Sequence, residues 1–309
     1  MKIFVTGGAG FIGRHLVDEL LKNGNKVTIF DNFQNSNKAN LRHILKKGVT
    51  LVKGDITNYS HISKSISGFD AIVHLAAQID VQDSIKFPAK TNLVNVSGTV
   101  NLLRACVEKK IKNIVAASSA AVYGNPKLLP LSENSSTMPL SPYGASKLAL
   151  EHYMQAFANS FGLNSVCLRI FNAYGDGQPP QYAGVITKFM ERIAKNEPPV
   201  IFGDGSNTRD FVSVKDVISS IQKAIVNIDG KKGNVYNIAS GMGIAIKDLA
   251  KLMIQLSGKN LSPIHKKVKP GDIRHSRASI LLAKKDLGYR PQIRLRDGLE
   301  ELLKTKENN

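Results

Sequence analysis

Four glycines set between two apolar strands constrain this chain more than any other feature in it. Residues 1–31 read MKIFVTGGAGFIGRHLVDELLKNGNKVTIFD. Ile3, Phe4 and Val5 form the short apolar run of a buried parallel strand. Gly8-x-Gly10-x-x-Gly13 then fits the dinucleotide-binding fingerprint, and Gly7-x-x-Gly10-x-x-Gly13 fits a close variant. The glycines serve a tight turn, the close approach of backbone to a pyrophosphate, and close helix–strand packing. A helix opening at Phe11 aims its free N–H groups and the positive end of its dipole at that pyrophosphate. Val27 to Phe30 form a second strand closed by Asp31, eighteen residues after Gly13. An acid there accepts both ribose hydroxyls of an adenosine and repels a 2′-phosphate, so NAD is favoured over NADP. A lone glycine turn is weak evidence; a strand before it, a helix after it and an acid-tipped strand beyond supply the confirming context.

The rest of the first half alternates strand and helix patterns, which predicts a parallel, doubly wound α/β sheet. A helix is expected near Leu41–Lys46 and strands at Thr50–Val52, Ala71–His74 and Ile114–Ser119. Asp55, at a strand's carboxyl edge, is placed either to hydrogen-bond an adenine amino group or to cap a helix. His74 reads as a packed strand-end residue, and the small residues Ala76 and Ala77 after it let a flat cofactor lie against the backbone. Leu93, Val96, Val100, Leu103 and Val107 recur at helical spacing, predicting a helix over 92–109 with Asn95 near its buried face. Ligands of such sheets sit at the strands' carboxyl ends, which gathers Gly10, Asp31, Asp55, Ala76 and Ser119 at one edge.

Composition narrows the rest. At 309 residues and 42% hydrophobic the chain can bury a large core. Its longest apolar runs are too short to span a membrane, and its N-terminus reads as a strand rather than a leader. Cys106 and Cys167 sit in apolar stretches, as small buried hydrophobes of a reducing compartment do; metal-ligand spacing is absent. The 42 Lys and Arg against 24 Asp and Glu leave a net charge of +18. The lysines are scattered and carry no stacking-aromatic pattern, so the reading is a solvated basic surface that suits an anionic small substrate, not nucleic acid.

The reactive stretch is Ser141-Pro142-Tyr143-Gly144-Ala145-Ser146-Lys147, opening a helix that runs to about Phe161. Tyr143 and Lys147 are four apart and share a helix face. A phenol with a pKa of about 10 is a poor base at neutral pH, and a nearby lysine cation is expected to bring it toward the working range. Ser119, ending the neighbouring strand, is placed to hydrogen-bond the same substrate hydroxyl. Alone, a Tyr-x-x-x-Lys is most simply a surface pair; with the glycine turn upstream and the strand-end serine between, it reads as catalytic.

Here the chain resembles the extended short-chain dehydrogenase/reductases, and within them the nucleotide-sugar 4-epimerases. The resemblance covers nearly the full length through TGGAGFIG, FDNFQNS, KGDI, HLAAQ, NVSGT, SSAAVYG, SPYGASK, LRIFNAYG, IFGDGSNTRDF, VYNIASG and KPGDIRHSRAS. It implies that Gly7, Gly10, Phe11, Ile12 and Gly13 hold a pyrophosphate. Asp31, Asn32, Asn35 and Ser36 would surround the adenosine ribose, and Asp55 and Ile56 the adenine. Leu75, Ala76, Ala77 and Asn95 would line the path of NAD. Tyr143 is the implied base, Lys147 binds the nicotinamide ribose and tunes Tyr143, Ser119 positions the sugar and Phe171 flanks the nicotinamide. Asn172, Arg209 and Lys269 would meet the diphosphate of a UDP-sugar, Val200 and Phe202 its uracil and Asp272 its ribose. Arg209 also has a plainer reading, an ion pair with Asp210.

Two departures refine the expectation. The related 4,6-dehydratases carry an Asp-Glu pair where this chain has Ala120 and Ala121, so water elimination lacks its proton carriers. Ser276 stands at the family's gate beside the sugar's C2 substituent, where a small residue leaves room for an N-acetyl group. The resemblance thus implies interconversion of UDP-glucose with UDP-galactose and of UDP-GlcNAc with UDP-GalNAc. The rivals are a UDP-glucuronate 4-epimerase or decarboxylase, and a non-catalytic NAD-binding regulator. The expected organisation is an NAD-binding domain over 1–171 and a smaller substrate-binding lobe over 172–309 that crosses back to the sheet. A homodimer through helices 92–109 and 143–161, with apolar positions such as Leu102 and Phe157 exposed for it, and a cytoplasmic location complete the expectation.

Overall fold

The computed structural model describes residues 1–178, 184–268 and 273–307. Among the described residues twelve strands run in chain order: β1 (Lys2–Thr6), β2 (Lys26–Asp31), β3 (Thr50–Lys53), β4 (Ala71–His74), β5 (Asn113–Ser119), β6 (Asn164–Ile170), β7 (Asn172–Tyr174), β8 (Val200–Phe202), β9 (Thr208–Ser213), β10 (Lys232–Ile238), β11 (Gly243–Ala245) and β12 (Ile264–Lys266). Seven of them form one sheet in the order β10-β6-β5-β4-β1-β2-β3, parallel at every pairing. The chain builds outward from β1 through β2 to β3, then returns to β4 on the other side of β1. That reversal opens a crevice at the strands' carboxyl ends, where sheets of this kind bind ligands.

Alternation along each strand explains the two helical layers. Ile3, Val5, Ile29, Val73 and Val166 face one core, shared with Leu16, Val17 and Leu20 of the Phe11–Lys22 helix and Val217 and Ile221 of the Val214–Val226 helix. Phe4, Phe30, Ile72, Ile114 and Cys167 face the other, shared with Leu102 and Leu103 of the Gly98–Glu108 helix and Leu150 and Met154 of the Pro142–Phe161 helix. Each such fully buried side chain contributes about 1.5–3 kcal/mol, so a strand shifted by one residue would exchange both cores at once. Cys106 and Cys167 are buried free thiols.

The second half builds a smaller lobe. β7 and β9 pair in parallel, with β11 antiparallel on β9, and β8 pairs with β12. Its core comprises Tyr174, Ile186, Phe189, Met190, Phe211, Leu249, Met253 and Leu299. β10 returns to the main sheet beside β6.

Three local expectations are corrected. The expected helix over 92–109 is broken into a π-helical turn, Leu93–Ser97, followed by the α-helix Gly98–Glu108. Leu102 is fully buried against the sheet and Phe157 half-buried on the same core, so neither offers the expected outer face; Leu93, Tyr153 and Phe161 are large apolar side chains exposed there. Near residue 41 the chain forms a 3-10 turn, Lys38–Leu41, and one short helix, Arg42–Leu45. Among the described residues no helix is long and apolar enough to cross a membrane.

Candidate active site

A cavity of about 1060 Å³ opens at the carboxyl ends of β1, β2, β4 and β5 and runs on into the smaller lobe. Its floor is backbone. Gly7 N–H donates to Phe30 O at 2.9 Å and Gly10 N–H to Gly7 O at 3.1 Å, closing the turn. Gly7 holds φ at +70°, and a Cβ there would lie 2.6 Å from Ala76 N; a Cβ on Gly13 would lie 2.2 Å from Gly7 O. No side chain larger than hydrogen fits at either place. The helix beginning after Gly10, a residue with no side chain to cap it, points its first N–H groups into the cavity.

Asp31 is held in a fixed pose at the end of β2. Its Oδ2 accepts from Ala9 N at 3.0 Å, and its Oδ1 accepts from Phe33 N at 2.8 Å and Ser36 Oγ at 3.1 Å. Around it Asn32, Asn35 and Ser36 line the cavity, with Gly54 and Ile56 from the end of β3. Asp55 is not among the lining residues; its carboxylate accepts from the lining Asn32 Nδ2 at 2.9 Å and from Thr57 N and Oγ1 at 2.8 and 2.7 Å. The following helix, Tyr59–Ser65, is capped by Asn58, so Asp55 fixes a turn and is not the cap.

On the other wall, Leu75, Ala76, Ala77 and Gln78 follow β4 into the cavity. Asn95 lies behind them rather than in the wall. Its Oδ1 accepts from Gln78 N at 2.7 Å, while its Nδ2 donates to Gln78 O and to Ser146 Oγ, each at 2.9 Å. His74 is 1% exposed. Its ring nitrogens lie 2.7 Å from Thr6 Oγ1 and 3.0 Å from Thr99 Oγ1, and burial first, then the Lys147 charge, push its pKa down to about 3. It is a neutral packed side chain, as expected.

Tyr143, Lys147 and Ser119 meet at the middle of the cavity. The Pro142–Phe161 helix is started by Ser141, whose Oγ accepts from Gly144 N at 3.1 Å, with Pro142 in its first turn. Ser119 hydrogen-bonds the Tyr143 phenol, and its Oγ also accepts from Ala121 N at 3.2 Å. Lys147 Nζ donates to Ala117 O at 2.8 Å, and burial pulls its pKa down to about 8, opposed by the Glu151 carboxylate. The expected lowering of the phenol is not a property of the protein alone: burial raises the Tyr143 pKa, and the Ser119 hydrogen bond works against that rise.

The far end of the cavity is made of side chains from the smaller lobe. Phe171, Asn172, Val200, Phe202 and Arg209 line it. Asn172 Nδ2 donates to Asp210 O at 2.9 Å, and Arg209 Nη1 to Thr208 O at 2.9 Å. Asp210 is fully buried on the other face of β9, where its carboxylate accepts from Ser240 N and Oγ, Gly241 N and Ala278 N. The Arg209–Asp210 alternative therefore gives way to an arginine that faces the cavity. Ser276 does not line the cavity; its N–H donates to Thr208 O at 3.1 Å, which seats it behind Arg209 with 8% of its surface exposed. Lys269 and Asp272 lie outside the described residues. Sequence reasoning missed Gln78 on the wall after β4 and Ile186, Phe189, Asn207, Phe211 and Ile246 at this end. Their apolar members alternate or recur as core residues do, so pattern alone gives no signal.

The whole matches a known family. A profile of the NAD dependent epimerase/dehydratase family matches residues 3–239. The chain belongs to that family. A UDP-glucose 4-epimerase of Mycolicibacterium smegmatis is 34% identical over 313 residues, covering 100% of this chain and 99% of that protein. The UDP-glucose 4-epimerase of Thermotoga maritima, solved with UDP-glucose, superposes with a TM-score of 0.93 at 34% identity, covering 100% and 99% of the two chains. A UDP-glucuronic acid 4-epimerase of Bacillus cereus, in complex with UDP-glucuronic acid and NAD, superposes at 0.92 with 33% identity over 100% and 99%. The glycine cradle, the free helix N-terminus and the fixed Asp31 carboxylate fit NAD, the cofactor that gives this family its name. Among the described residues no group of three metal-ligating side chains occurs.

Proposed function

We propose that the protein is an NAD-dependent UDP-sugar 4-epimerase that interconverts UDP-glucose with UDP-galactose, and UDP-GlcNAc with UDP-GalNAc, through a 4-keto sugar. The observation that carries this reading is the meeting of Tyr143, Ser119 and Lys147 in one cavity with the Gly7–Gly13 cradle at one end and Arg209 at the other. NAD, when bound at Gly7, Gly10, Phe11, Ile12, Gly13 and Asp31, supplies the acceptor and donor of the C4 hydride and a positive charge within the site. Tyr143 takes the proton of the sugar's 4-hydroxyl and later returns it. Ser119 holds that hydroxyl in line, and the Lys147 ammonium favours the phenolate once the site is filled. Arg209 and Asn172 hold the diphosphate, an arginine suiting bidentate phosphate contacts. Val200 and Phe202 enclose the base. With the nucleotide fixed, the keto sugar turns in the remaining volume and presents its other face to the same groups.

Ala120 and Ala121 occupy the turn after β5, so no acid–base pair stands there for dehydration. The N-acetyl pair is supported by the likeness to a UDP-N-acetylglucosamine 4-epimerase of Methanobrevibacter ruminantium, which superposes with a TM-score of 0.91 at 34% identity over 99% of this chain and 98% of that one. The likeness to the glucuronate enzyme, together with Lys90 and Lys188 in the cavity lining, supports a second reading, an acidic UDP-sugar as substrate. The enzyme is taken to act in the cytoplasm as a homodimer through the helical face of Leu93, Tyr153 and Phe161; light scattering that finds a monomer at micromolar concentration contradicts the dimer. The functional reading is tested by Tyr143→Phe. Epimerisation should fall about 10²- to 10⁴-fold with UDP-glucose binding retained, whereas a regulator that only binds would be unaffected.

A further inference from the structure

Three consecutive residues at the carboxyl end of β5 each hold one residue of the helix that carries Tyr143. Ser119 hydrogen-bonds Tyr143, the Ala117 carbonyl accepts from Lys147, and the Ser118 hydroxyl donates to Glu151. Tyr143, Lys147 and Glu151 follow one another at four-residue intervals and so share one helix face. The first two belong to the reactive centre. Glu151 is 4% exposed and lies outside the cavity wall.

Its surroundings are unusually complete. Arg169 of β6 donates to both carboxylate oxygens, from Nε at 2.9 Å and Nη2 at 2.7 Å. The third guanidinium nitrogen donates to Tyr123 Oη at 2.9 Å and Glu133 O at 3.1 Å. Tyr123 Oη donates in turn to Asn237 Oδ1 of β10 at 2.7 Å, and its ring lies 6.3 Å from that of Phe171 in the cavity wall. The network ties the catalytic helix to β5, β6 and β10. A buried ion pair is a poor source of stability against an apolar replacement, so its placement behind the reactive pair calls for a reason in the reaction.

We propose that Glu151 is a positioning residue: gripped by Arg169 and Ser118, it fixes the rotation and register of the catalytic helix on β5 and places a fixed negative charge one helical turn from Lys147. The inference rests on reading Tyr143 and Lys147 as the reacting pair. The groups facing Lys147 are Tyr143 and Glu151 on its own helix, Cys167 and the more distant Arg169 on β6, and His74 on β4. His74 is held neutral and the Cys167 thiol is pushed well up by burial, so Glu151, balanced by Arg169, supplies the negative charge. Burial pulls Lys147 down to about 8 and Glu151 opposes it. Removing that charge lets Lys147 lose its proton at lower pH, and the alkaline limb of the activity profile moves down.

The test uses the full chain with NAD and UDP-glucose, comparing wild type, Glu151→Gln, Glu151→Asp and Ser118→Ala for kcat, KM, pH profile and melting temperature. Glu151→Gln should lower kcat about 10- to 100-fold, as small misplacements of reacting groups do, with KM little changed and the alkaline limb moved to lower pH. Glu151→Asp should restore the limb without restoring full kcat. Ser118→Ala, which leaves the ion pair intact, should lower kcat by a smaller factor with the limb unmoved. A folded Glu151→Gln with wild-type kcat and an unmoved limb overturns the proposal. Where Glu151→Gln does not fold, wild-type kcat in both Ser118→Ala and Glu151→Asp overturns it, and reduced kcat in both supports it. A wild-type protein inactive on UDP-glucose instead contradicts the functional reading, a different failure.

Discussion

The two ends of the cavity are built from different materials. The cofactor end is mostly backbone: Gly7, Gly13, the first turn of the Phe11–Lys22 helix and the strand ends around Asp31. The end proposed to hold the substrate is mostly side chains, Phe171, Asn172, Phe189, Phe202, Arg209 and Phe211, brought together by β7, β8 and β9 and the helix Val185–Ala194. A backbone site imposes residue types at fixed spacing, because only glycine admits the close approaches. A side-chain site imposes only a final arrangement that many sequences reach.

The contrast predicts how each end fails. Gly13→Val drives a side chain into Gly7 O and Gly8. Overpacking of up to about 3 kcal/mol should weaken NAD roughly 100-fold by titration, and the effect should not depend on which UDP-sugar is offered. Unchanged NAD affinity would break the comparison at its stronger end. Arg209→Lys keeps the charge and loses the fork, so KM for UDP-glucose should rise roughly 10-fold with kcat nearly unchanged; a fall in kcat alone would move Arg209 out of the binding role. Ser276→Tyr should lower kcat/KM for UDP-GlcNAc by several-fold, within the roughly 10-fold lower bound of small pocket changes, and leave UDP-glucose alone. Because Ser276 sits behind Thr208 rather than in the wall, this effect is the smallest of the three, and equal effects on both sugars would remove the gate.

The same contrast explains what the sequence disclosed. The β1–turn–helix–β2 unit was legible to within one residue at its strand ends, since its chemistry is local. Tyr143 and Lys147 were legible as a helix pair, and their meeting with Ser119 followed from strand order. The direction of the Tyr143 shift was not, because burial, a tertiary property, outweighs the nearby charge. Leu102 was misjudged as exposed for a similar reason: helical spacing shows that one face is apolar, not which neighbours cover it. The π-helical turn at Leu93–Ser97 leaves the apolar period nearly intact and so left no trace. β7, β9 and β11 are short and pair across distant segments, so their small sheet was invisible to local pattern. Glu151 carries no local signal in the sequence, because its partners Arg169 and Ser118 come from two other strands.

One assay reaches the central claim directly. Purified protein with NAD is incubated separately with UDP-glucose, UDP-GlcNAc and UDP-glucuronate, and the products are resolved by NMR. A mixture of UDP-glucose and UDP-galactose, and of the N-acetyl pair, is expected, with no net reduction of NAD. Turnover of UDP-glucuronate alone, or none of the three while NAD is bound, would contradict it.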